Sequence, residues 1–588
     1  MNQVKQTKNP FPDLLPYLVL FILMFLYFGF FADYAAYYQE QTSLFVFSHE
    51  YLAEHFHQPG SPLIYLSNFI TTFFHIPFTG AVLVSVIIFL VVFFISKIIN
   101  FLAGRKQVLI PFLFGATLFY FHTNYQYLLY NSAGLLLQLV FFYLTIRYLK
   151  GWLPVIIIPF WYFLTGAFAW IFLLMFTLHI VTRTLRKDWL KLIVLWLIMS
   201  VIIFVLKEYF LFQSAGTLLT YPFSDNGAGF QLKILALYVI LIAILPLIAR
   251  IKIKLFRTIK IPGILKKPGP SFIILLVLLS ISILRFDKKT RQYFSVEKLF
   301  CQGRYNEVVD YTKRNPPNNI LTIYLNNIAL CETGRLNDQL FNLRQDPEGQ
   351  TLFLKWEMSG EILRRGGYFY YAVGVINEAQ RWAYENMIMN GLTPEDLKML
   401  IRTEIINGNY EIASKYISIQ KKTLFYREEA KRYEKLLFND QAVDSDPVLG
   451  LKRKEKINHD YFSITDDPYI NVERILSYDS LNRKAFEYKL AFMLLKKDYL
   501  GIAAQLEGLG KYGFKRMPIH IEEAAEAYKT LNLGPMAGQG TLAPNPQTAQ
   551  RFNQFLQTFQ QYGNNLKSAE PALRQKFGNT FWYYAFYR

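Results

Sequence analysis

The composition of this 588-residue chain excludes several broad classes of protein. Hydrophobic residues make up 53% of it and charged residues only 18%, which is too apolar for a wholly soluble or a disordered protein. The net charge of +19 would suggest nucleic acid in a soluble protein, but in so apolar a chain it indicates orientation in a membrane. We therefore expect no nucleic-acid partner. Two cysteines cannot form a disulfide framework or a four-thiolate zinc site.

Apolar segments fill the N-terminal half of the chain. A membrane-crossing helix needs about 20 apolar residues, and eight segments approach or exceed that length: 14–32, 78–102, 108–121, 133–148, 153–181, 189–210, 232–249 and 271–284. The segment 153–181 is too long for one straight span and contains Pro159 and Gly166, which predicts a hairpin of two short helices. About nine crossings result.

Basic residues concentrate in every second loop of this half. The clusters lie at 5–8, 105–106, 147–150, 183–191 and 250–267, and such clusters stay on the cytoplasmic side of a membrane. This pattern predicts a multi-pass protein, interpreted as one of the bacterial inner membrane, with a cytoplasmic N-terminus. An odd number of spans places the C-terminal half outside the cytoplasm.

The C-terminal half changes to mixed charge and contains an internal repeat. The segment around Gly303 is echoed around Gly334 and Gly408, and a fourth echo, 495–503, lacks the glycine. Each echo is typical of two helices joined by a turn. The spacing of the first two is close to the roughly 34-residue period of tetratricopeptide repeats, and the chain resembles that family in degenerate form over about 290–533. The resemblance implies an α-solenoid that binds a protein or peptide partner.

The predicted fold is therefore all-α. A transmembrane domain at 1–286, with an interfacial first outer loop at 33–77, precedes an extracytoplasmic solenoid of tetratricopeptide-like repeats at 287–533. Residues 534–588 form a linker, a terminal helix and an aromatic C-terminus. The aromatic run 581–587 either packs on the end of the solenoid or lies at the bilayer interface.

The loop 33–77 concentrates groups that carry chemistry. It holds several carboxylates and four of the eight histidines of the chain: Asp33, Glu40, His49, Glu50, Glu54, His55, His57 and His75. Histidines of a zinc hydrolase would stand one helical turn apart, whereas His49 and His55 do not. We predict no metal site here, although the sequence leaves a divalent metal cofactor open. Glu50 and Glu54 fit a solvated helix face as well as a site.

Asp33 ends the first span, where a carboxylate beside hydrocarbon is costly unless it is functional or reaches water. Tyr34 follows it, and a His-Gln-Pro-Gly-Ser-Pro turn at 57–62 precedes the second span. Over about 14–148 this order resembles the GT-C glycosyltransferases, membrane enzymes that take sugars from polyprenyl-phosphate carriers. The chain lacks the paired acid of that family beside Asp33 and an acid in the second outer loop.

The resemblance implies an enzyme with a lipid-linked sugar donor that acts in cell-envelope glycan or glycoprotein assembly. Asp33 would be the general base that deprotonates an acceptor hydroxyl. Lys207 would hold the carrier phosphate, or else it is a surface lysine paired with Glu208. The other predicted substrate-binding residues are Glu40, Glu50, His55, His57 and His122.

The alternative is a non-catalytic membrane-anchored scaffold. In that hypothesis the repeats recruit a partner protein of the envelope and the spans only hold the chain in place. The missing second acid favours the scaffold, whereas the histidine-rich loop favours the enzyme.

Overall fold

Helices account for all regular structure in the part of the chain that the structure describes. This computed structural model describes residues 11–104, 109–182, 188–223, 230–250, 269–357, 360–457, 467–531, 542 and 544–588, with no strand among them. The chain divides into two units, the first comprising 1–287 with 422–425 and the second comprising 288–421 with 426–588. The prediction of an all-α protein is confirmed.

The first unit contains fourteen α-helices within the described residues. They are α1 (Phe11–Leu26), α2 (Asp33–Thr42), α3 (His49–Glu54), α4 (Ser61–Thr72), α5 (Thr79–Ala103), α6 (Leu109–His122), α7 (Leu129–Arg147), α8 (Leu153–Thr165), α9 (Ala169–Val181), α10 (Trp189–Val205), α11 (Ala215–Thr220), α12 (Phe230–Ala243), α13 (Leu245–Ile248) and α14 (Gly269–Arg285).

Four helical segments are long and apolar enough to cross a membrane: Thr79–Ala103, Leu129–Arg147, Leu153–Val181 and Trp189–Phe210. A fifth is possible if the pair Pro16–Phe31 and Asp33–Thr42, bent by 70°, forms one broken span. These apolar helices indicate association with a membrane. The nine predicted crossings are not confirmed, because α6, α12 and α14 are short for a bilayer. The basic residues at 5–8, 105–106, 183–187 and 251–267 lie outside the described residues.

The segment 153–181 differs from its predicted hairpin. It forms a single 29-residue candidate span, in which Pro159 lies inside α8 and the interruption is a short 3₁₀ turn at Gly166–Phe168. Gly166 has φ +58°, and a Cβ there would stand 2.7 Å from the backbone oxygen of Tyr221. The Ala167 amide donates to that oxygen at 2.9 Å. A close backbone approach, and not the proline, interrupts this helix.

Small residues set the packing at the centre of the first unit. α5 packs against α1, α6 and α7, and a Cβ on Gly115 of α6 would lie 2.4 Å from Val92 of α5. A Cβ on Gly134 of α7 would likewise clash with the ring of Phe168, and a Cβ on Gly80 of α5 would clash with the side chain of Ala36 of α2. Glycine therefore allows these apolar helices to approach closely, as is usual in membrane helix bundles.

The second unit contains eighteen α-helices within the described residues. They are α15 (Lys288–Cys301), α16 (Tyr305–Arg314), α17 (Ile320–Glu332), α18 (Leu336–Gln339), α19 (Gly360–Ala372), α20 (Ile376–Asn390), α21 (Pro394–Asn407), α22 (Tyr410–Lys421), α23 (Arg427–Glu434), α24 (Asp440–Ser445), α25 (Leu449–Glu455), α26 (Pro468–Tyr478), α27 (Arg483–Leu495), α28 (Tyr499–Gln505), α29 (Ile519–Thr530), α30 (Pro546–Gln561), α31 (Leu566–Phe577) and α32 (Phe581–Tyr587).

The repeated segments form helix–turn–helix pairs, as their pattern predicts. Gly303, Gly334 and Gly408 join the paired helices with a positive φ, and Lys497 takes the same conformation in the fourth pair. A fifth turn of this kind, at Gly374, was missed by the sequence pattern. In all five the amide after the positive-φ residue donates to the carbonyl five residues earlier at 2.7 to 3.0 Å, which is the Schellman motif.

The stacking of these pairs is not that of an open solenoid. In an open stack each repeat contacts only its neighbours in sequence, and α19 to α23 do follow that order. However, α18 also packs against α27 and α29. The Asn337 amide donates to the backbone oxygen of Glu487 at 2.9 Å, and the Ile519 amide donates to Asp338 at 2.8 Å. The predicted tetratricopeptide-like solenoid is therefore not confirmed.

The C-terminal helices belong to the second unit. α30 and α32 pack against α29, and Trp582 is buried, with its indole N–H donating to the backbone oxygen of Glu523 at 2.7 Å. The aromatic run therefore packs within the helical unit, which was the first of its two predicted positions. Most of the predicted linker, at 532–541 and 543, lies outside the described residues.

Candidate functional site

Asp33, the predicted general base, lies in the first turn of α2. Its side chain is exposed, while the neighbouring Ala32 and Tyr34 are buried. The helix start positions the carboxylate at the protein surface because α2 turns away from the first apolar helix at this point, with a bend of 70° between them. An exposed carboxylate lacks the desolvated surroundings in which a general base is tuned.

Within the histidine-rich loop, Glu40 and His75 form a pair in which a carboxylate lies beside an imidazole. Glu40 is buried in α2 and accepts a hydrogen bond from Gln41 at 2.7 Å. Its Oε1 lies 3.4 Å from Nδ1 of His75, whose ring stacks on Phe425 at a centroid distance of 4.9 Å. This arrangement can hold an imidazole in a fixed orientation.

The predicted residues around α3 lie at the surface. Glu50 occupies the first turn of α3 and is exposed; its own backbone amide and Ser48 lower its pKa. His55 ends that helix, with Nδ1 2.9 Å from the Tyr51 backbone oxygen. His57 is exposed. These contacts are local, and they do not bring any two of Glu50, His55 and His57 together at one site.

His122 is buried at the end of α6. Its Nε2 lies 2.8 Å from the hydroxyl oxygen of Ser132 on α7, and its ring borders a cavity of about 10 Å³ that is also lined by Phe28 and Gln39. A space of this size holds about one water molecule. His122 therefore satisfies a buried hydroxyl beside a void too small for a sugar.

Lys207 follows α10 in a π-helical turn, Leu206–Phe210. Its ammonium forms an ion pair with the adjacent Glu208 carboxylate, and both side chains are more than two-fifths exposed. This is the second of the two predicted roles of Lys207, that of a surface lysine paired with its neighbour. No group of three or more potential metal ligands occurs among the described residues.

A larger cavity lies in the second unit, at the junction of three segments that are distant in sequence. It has a volume of about 230 Å³. The beginning of α18, the first turns of α27 and the loop 513–518 surround it. Its polar lining consists of Asn337, Asp338, Arg483, Glu487, Lys515 and Arg516.

Glu487 and Asn337 give this cavity its chemical character. Both are buried, and both carry a buried oxygen, Oε2 of Glu487 and Oδ1 of Asn337, that accepts no hydrogen bond within the described residues. The other oxygen of Glu487 accepts from Nε of Arg483 at 3.1 Å. Burial raises the pKa of the Glu487 carboxyl to about 7, although Arg483 opposes the shift.

The basic side chains of the cavity differ in whether they already form an ion pair with a carboxylate. Arg516 donates two hydrogen bonds to Asp338, at 2.6 and 3.1 Å, and Arg483 is paired with Glu487. Lys515 is exposed and takes part in no ion pair with the described residues. Among the residues that the structure describes, Lys515 is therefore the basic side chain of this cavity that has no carboxylate partner.

Sequence reasoning missed this cavity. Gly334 and Asn337, which line it, belonged to a recognised repeat, but that pattern indicates a turn and not a site. The wall residues of α27 and of the loop 513–518 follow about 150 to 180 positions later, and nothing in their local sequence links them to α18.

The comparisons with known proteins give one match. A family model, the family of unknown function DUF6057, matches residues 10–588. The chain matches no curated protein and no solved structure. Because the family model spans nearly the whole chain, across both units, the protein belongs to the DUF6057 family.

Proposed function

We propose that this protein is a non-catalytic membrane-anchored scaffold, whose first unit holds it in the membrane and whose second unit binds a protein of the cell envelope. The exposed position of Asp33 carries this proposal. An enzyme of this kind works in a site from which water is excluded, whereas Asp33, His57 and Lys207 all lie at the surface. The predicted general base and two of the predicted substrate-binding residues therefore lie at the surface.

The proposed scaffold takes its topology from the loop charges. The N-terminus lies in the cytoplasm and the second unit lies outside it, at a bacterial inner membrane, because the basic clusters alternate along the apolar half. The four candidate spans, the broken pair Pro16–Phe31 and Asp33–Thr42 and the short helices α6, α12 and α14 supply eight crossings in this proposal. The ninth, which places the second unit outside the cytoplasm, requires the segment 153–181 to cross a second time at its turn Gly166–Phe168.

A surface on α20 is the proposed contact with the partner protein. Tyr384, Ile388 and Met389 are 47%, 62% and 54% exposed, and Tyr384 and Ile388 stand one helical turn apart on the same face. Contiguous exposed apolar patches on a protein surface mark sites of interaction. This surface is defined here as Tyr384, Ile388 and Met389.

The test is site-specific photo-crosslinking in cells that express the full chain. A photoreactive residue at Ile388 should yield one discrete crosslinked product, and the substitution Tyr384→Ser in the same chain should reduce its yield. The matched control is the same reagent at Glu428, which is 81% exposed but lies outside the α20 surface. Equal products from both positions, or none from Ile388, would overturn the scaffold proposal.

A GT-C-like glycosyltransferase remains the second candidate function, favoured by the buried Glu40 beside His75. In this reading Asp33 is the general base, His75 and Glu40 orient the acceptor, and the donor is a polyprenyl-phosphate sugar. Membranes containing the protein should then transfer labelled sugar from that donor. Asp33→Asn and Glu40→Gln should abolish transfer, whereas the exposed Glu54→Gln should not. Transfer with this pattern would replace the scaffold as the function.

A further inference from the structure

We propose that the seam between α5 and α7 binds an anionic phospholipid at the end where both helices finish. The α5–α7 seam is defined here as Phe94, Lys97, Phe101, Tyr143 and Arg147. The two cations hold the lipid phosphate, and the three aromatic side chains contact an acyl chain. The proposal goes beyond the scaffold function, since it gives the first unit a lipid partner, and it rests on the membrane position that the proposed function gives that unit.

The two cations lie at the same end of two neighbouring helices. α5 and α7 pack together, and the ring centroids of Phe94 and Tyr143 lie 5.8 Å apart. Further along both helices, the guanidinium carbon of Arg147 lies 5.7 Å from the ring centroid of Phe101. The contacts advance in step, so the two helices run in the same direction. Lys97 precedes Phe101 by about one helical turn, or roughly 6 Å along the axis.

The protein supplies these two cations with rings and not with carboxylates in the part of the chain that the structure describes. The Lys97 ammonium lies 5.2 Å from the ring centroid of Phe93, and the Arg147 guanidinium lies over Phe101. The chain has no Asp or Glu between Glu54 and Asp188, so none of the helices from α4 to α9 can provide a counter-charge. A cation beside hydrocarbon is costly without one. We therefore assign the counter-charge to an anion from outside the protein.

The positions of the cations along their helices match the depth of a lipid phosphate. α5 is a candidate span of 25 residues, about 37 Å long, whereas the hydrocarbon core is about 30 Å thick. Lys97 precedes Ala103, the last residue of α5, by about 9 Å along the axis, and its flexible stem lets the ammonium reach the headgroups. Arg147 is the last residue of α7, and a guanidinium can donate two parallel hydrogen bonds to one phosphate.

The charges and the rings of the seam together select an anionic lipid. A zwitterionic headgroup would bring its own cation beside Lys97 and Arg147, whereas phosphatidylglycerol carries a phosphate and no cation. Basic sites between membrane helices commonly bind anionic headgroups. Phe94 and Tyr143 are half-buried and Phe101 is 42% exposed, so aromatic surface is open to an acyl chain. A free phosphate would match the charges but not this apolar wall.

Thermal unfolding of the full chain in a neutral detergent tests the lipid class with three probes. They are dioleoyl phosphatidylglycerol, dioleoyl phosphatidylcholine and inorganic phosphate. A ligand that binds the folded protein raises its unfolding temperature. We expect phosphatidylglycerol to raise it by about 2 °C or more above the value with phosphatidylcholine, and phosphate to leave it unchanged. Equal shifts from the two lipids, or an equal shift from phosphate and phosphatidylglycerol, would overturn the proposal.

Two double variants show whether the lipid binds at the seam. Lys97→Gln with Arg147→Gln removes both cations and should abolish the additional shift that phosphatidylglycerol produces. Lys97→Arg with Arg147→Lys keeps both charges and should retain most of that shift, which separates lost binding from a folding defect. A full shift in the double glutamine variant would refute the site.

The matched control is Lys191→Gln with Arg250→Gln. It removes the same charge from two other basic clusters of the apolar half, where Lys191 already pairs with Asp188 and Arg250 donates to the backbone oxygen of Thr182. The control should keep the shift, and an equal loss there would show a general attraction for anionic lipid instead of a site. Detergent solution has no leaflets, so this result is independent of the proposed topology. Failure of crosslinking at Ile388 would overturn the scaffold and leave the lipid site standing.

Discussion

Charged side chains in the interior of the second unit form ion pairs with side chains of opposite charge. Arg365 and Glu297 form an ion pair whose side chains are 2% and 1% exposed. We expect Arg365→Met to destabilise the protein by about 3–5 kcal/mol, because it leaves the buried Glu297 carboxylate without its counter-charge. Thermal unfolding of the full chain in detergent measures the loss.

The exposed pair Arg304 and Glu307 is the matched control. Its side chains are about half exposed, and solvent screening leaves such pairs with little effect on stability. Arg304→Met should therefore change the unfolding temperature little. A double variant, Arg365→Met with Glu297→Leu, should recover much of the lost stability if the unpaired charge is the cause. If the double variant is as unstable as the single one, lost packing explains the effect.

Glu487 should make stability depend on pH in a defined direction. Its folded-state pKa is raised to about 7 by burial, whereas the unfolded value is about 4.3. The protonated form is thus favoured by folding, so the contribution of Glu487 to stability is fully present below about pH 4.3 and is lost as pH rises through 7. Glutamine cannot ionise, so Glu487→Gln should raise the unfolding temperature at pH 8 relative to the natural chain and change it least near pH 4.5. An equal effect of Glu487→Gln at pH 4.5 and pH 8 would contradict the raised pKa.

The candidate site residues were predicted from their positions along the chain, and the sequence does not record their surroundings in the folded protein. Asp33 was predicted to end the first span, and the structure places it at the start of α2. Its exposure depends on the bend between α1 and α2, which no local pattern encodes. No sequence pattern marked Glu487 or Asn337 as part of a cavity, because that cavity exists only when α18 meets α27.

At the scale of elements, the helix-ending turns are the features best encoded by local sequence. Gly408 has φ +80° and open space where a Cβ would stand, so Gly408→Ala introduces backbone strain without a clash. We expect a loss of about 1–2 kcal/mol, measured as a lower unfolding temperature. Gly508→Ala is the control, since its φ is not positive and the nearest atom to its Cβ would be 3.9 Å away; it should cost little.

The apolar helices were predicted by composition, but their lengths were not. The segments that became the four candidate spans were identified in the sequence, because hydrophobicity is a local property. The segment 153–181 shows what composition cannot predict. Tyr221, about 55 residues away in the chain, approaches Gly166 and decides where the helix is broken.

At the scale of the whole second unit, contacts between distant helices should make unfolding cooperative. Trp582 of α32 is buried against Phe552 and Phe555 of α30, and α32 also packs on α29, which contacts α18. Trp582→Ala creates a cavity that costs about 3–5 kcal/mol. We expect faster hydrogen exchange in α18 as well as in α29 to α32.

An open solenoid would respond differently, because each repeat there depends only on its neighbours. Exchange would then accelerate only near α32. The control Tyr587→Phe removes an exposed hydroxyl that donates to the Leu566 backbone oxygen and should leave exchange in α18 unchanged. Confinement of the Trp582→Ala effect to α29 to α32 would show that the contacts of α18 add no cooperativity.

The sequence by itself determined the all-α class, the apolar N-terminal half and the helix–turn–helix pairs of the second unit. These depend on hydrophobicity and backbone preference within a few residues, which a linear pattern records. The tertiary structure alone decided that Asp33 is exposed, that α18 meets α27 and α29, and that a cavity lies at the junction of α18, α27 and the loop 513–518. Each of these depends on segments far apart in the chain, whose contacts have no trace in local composition.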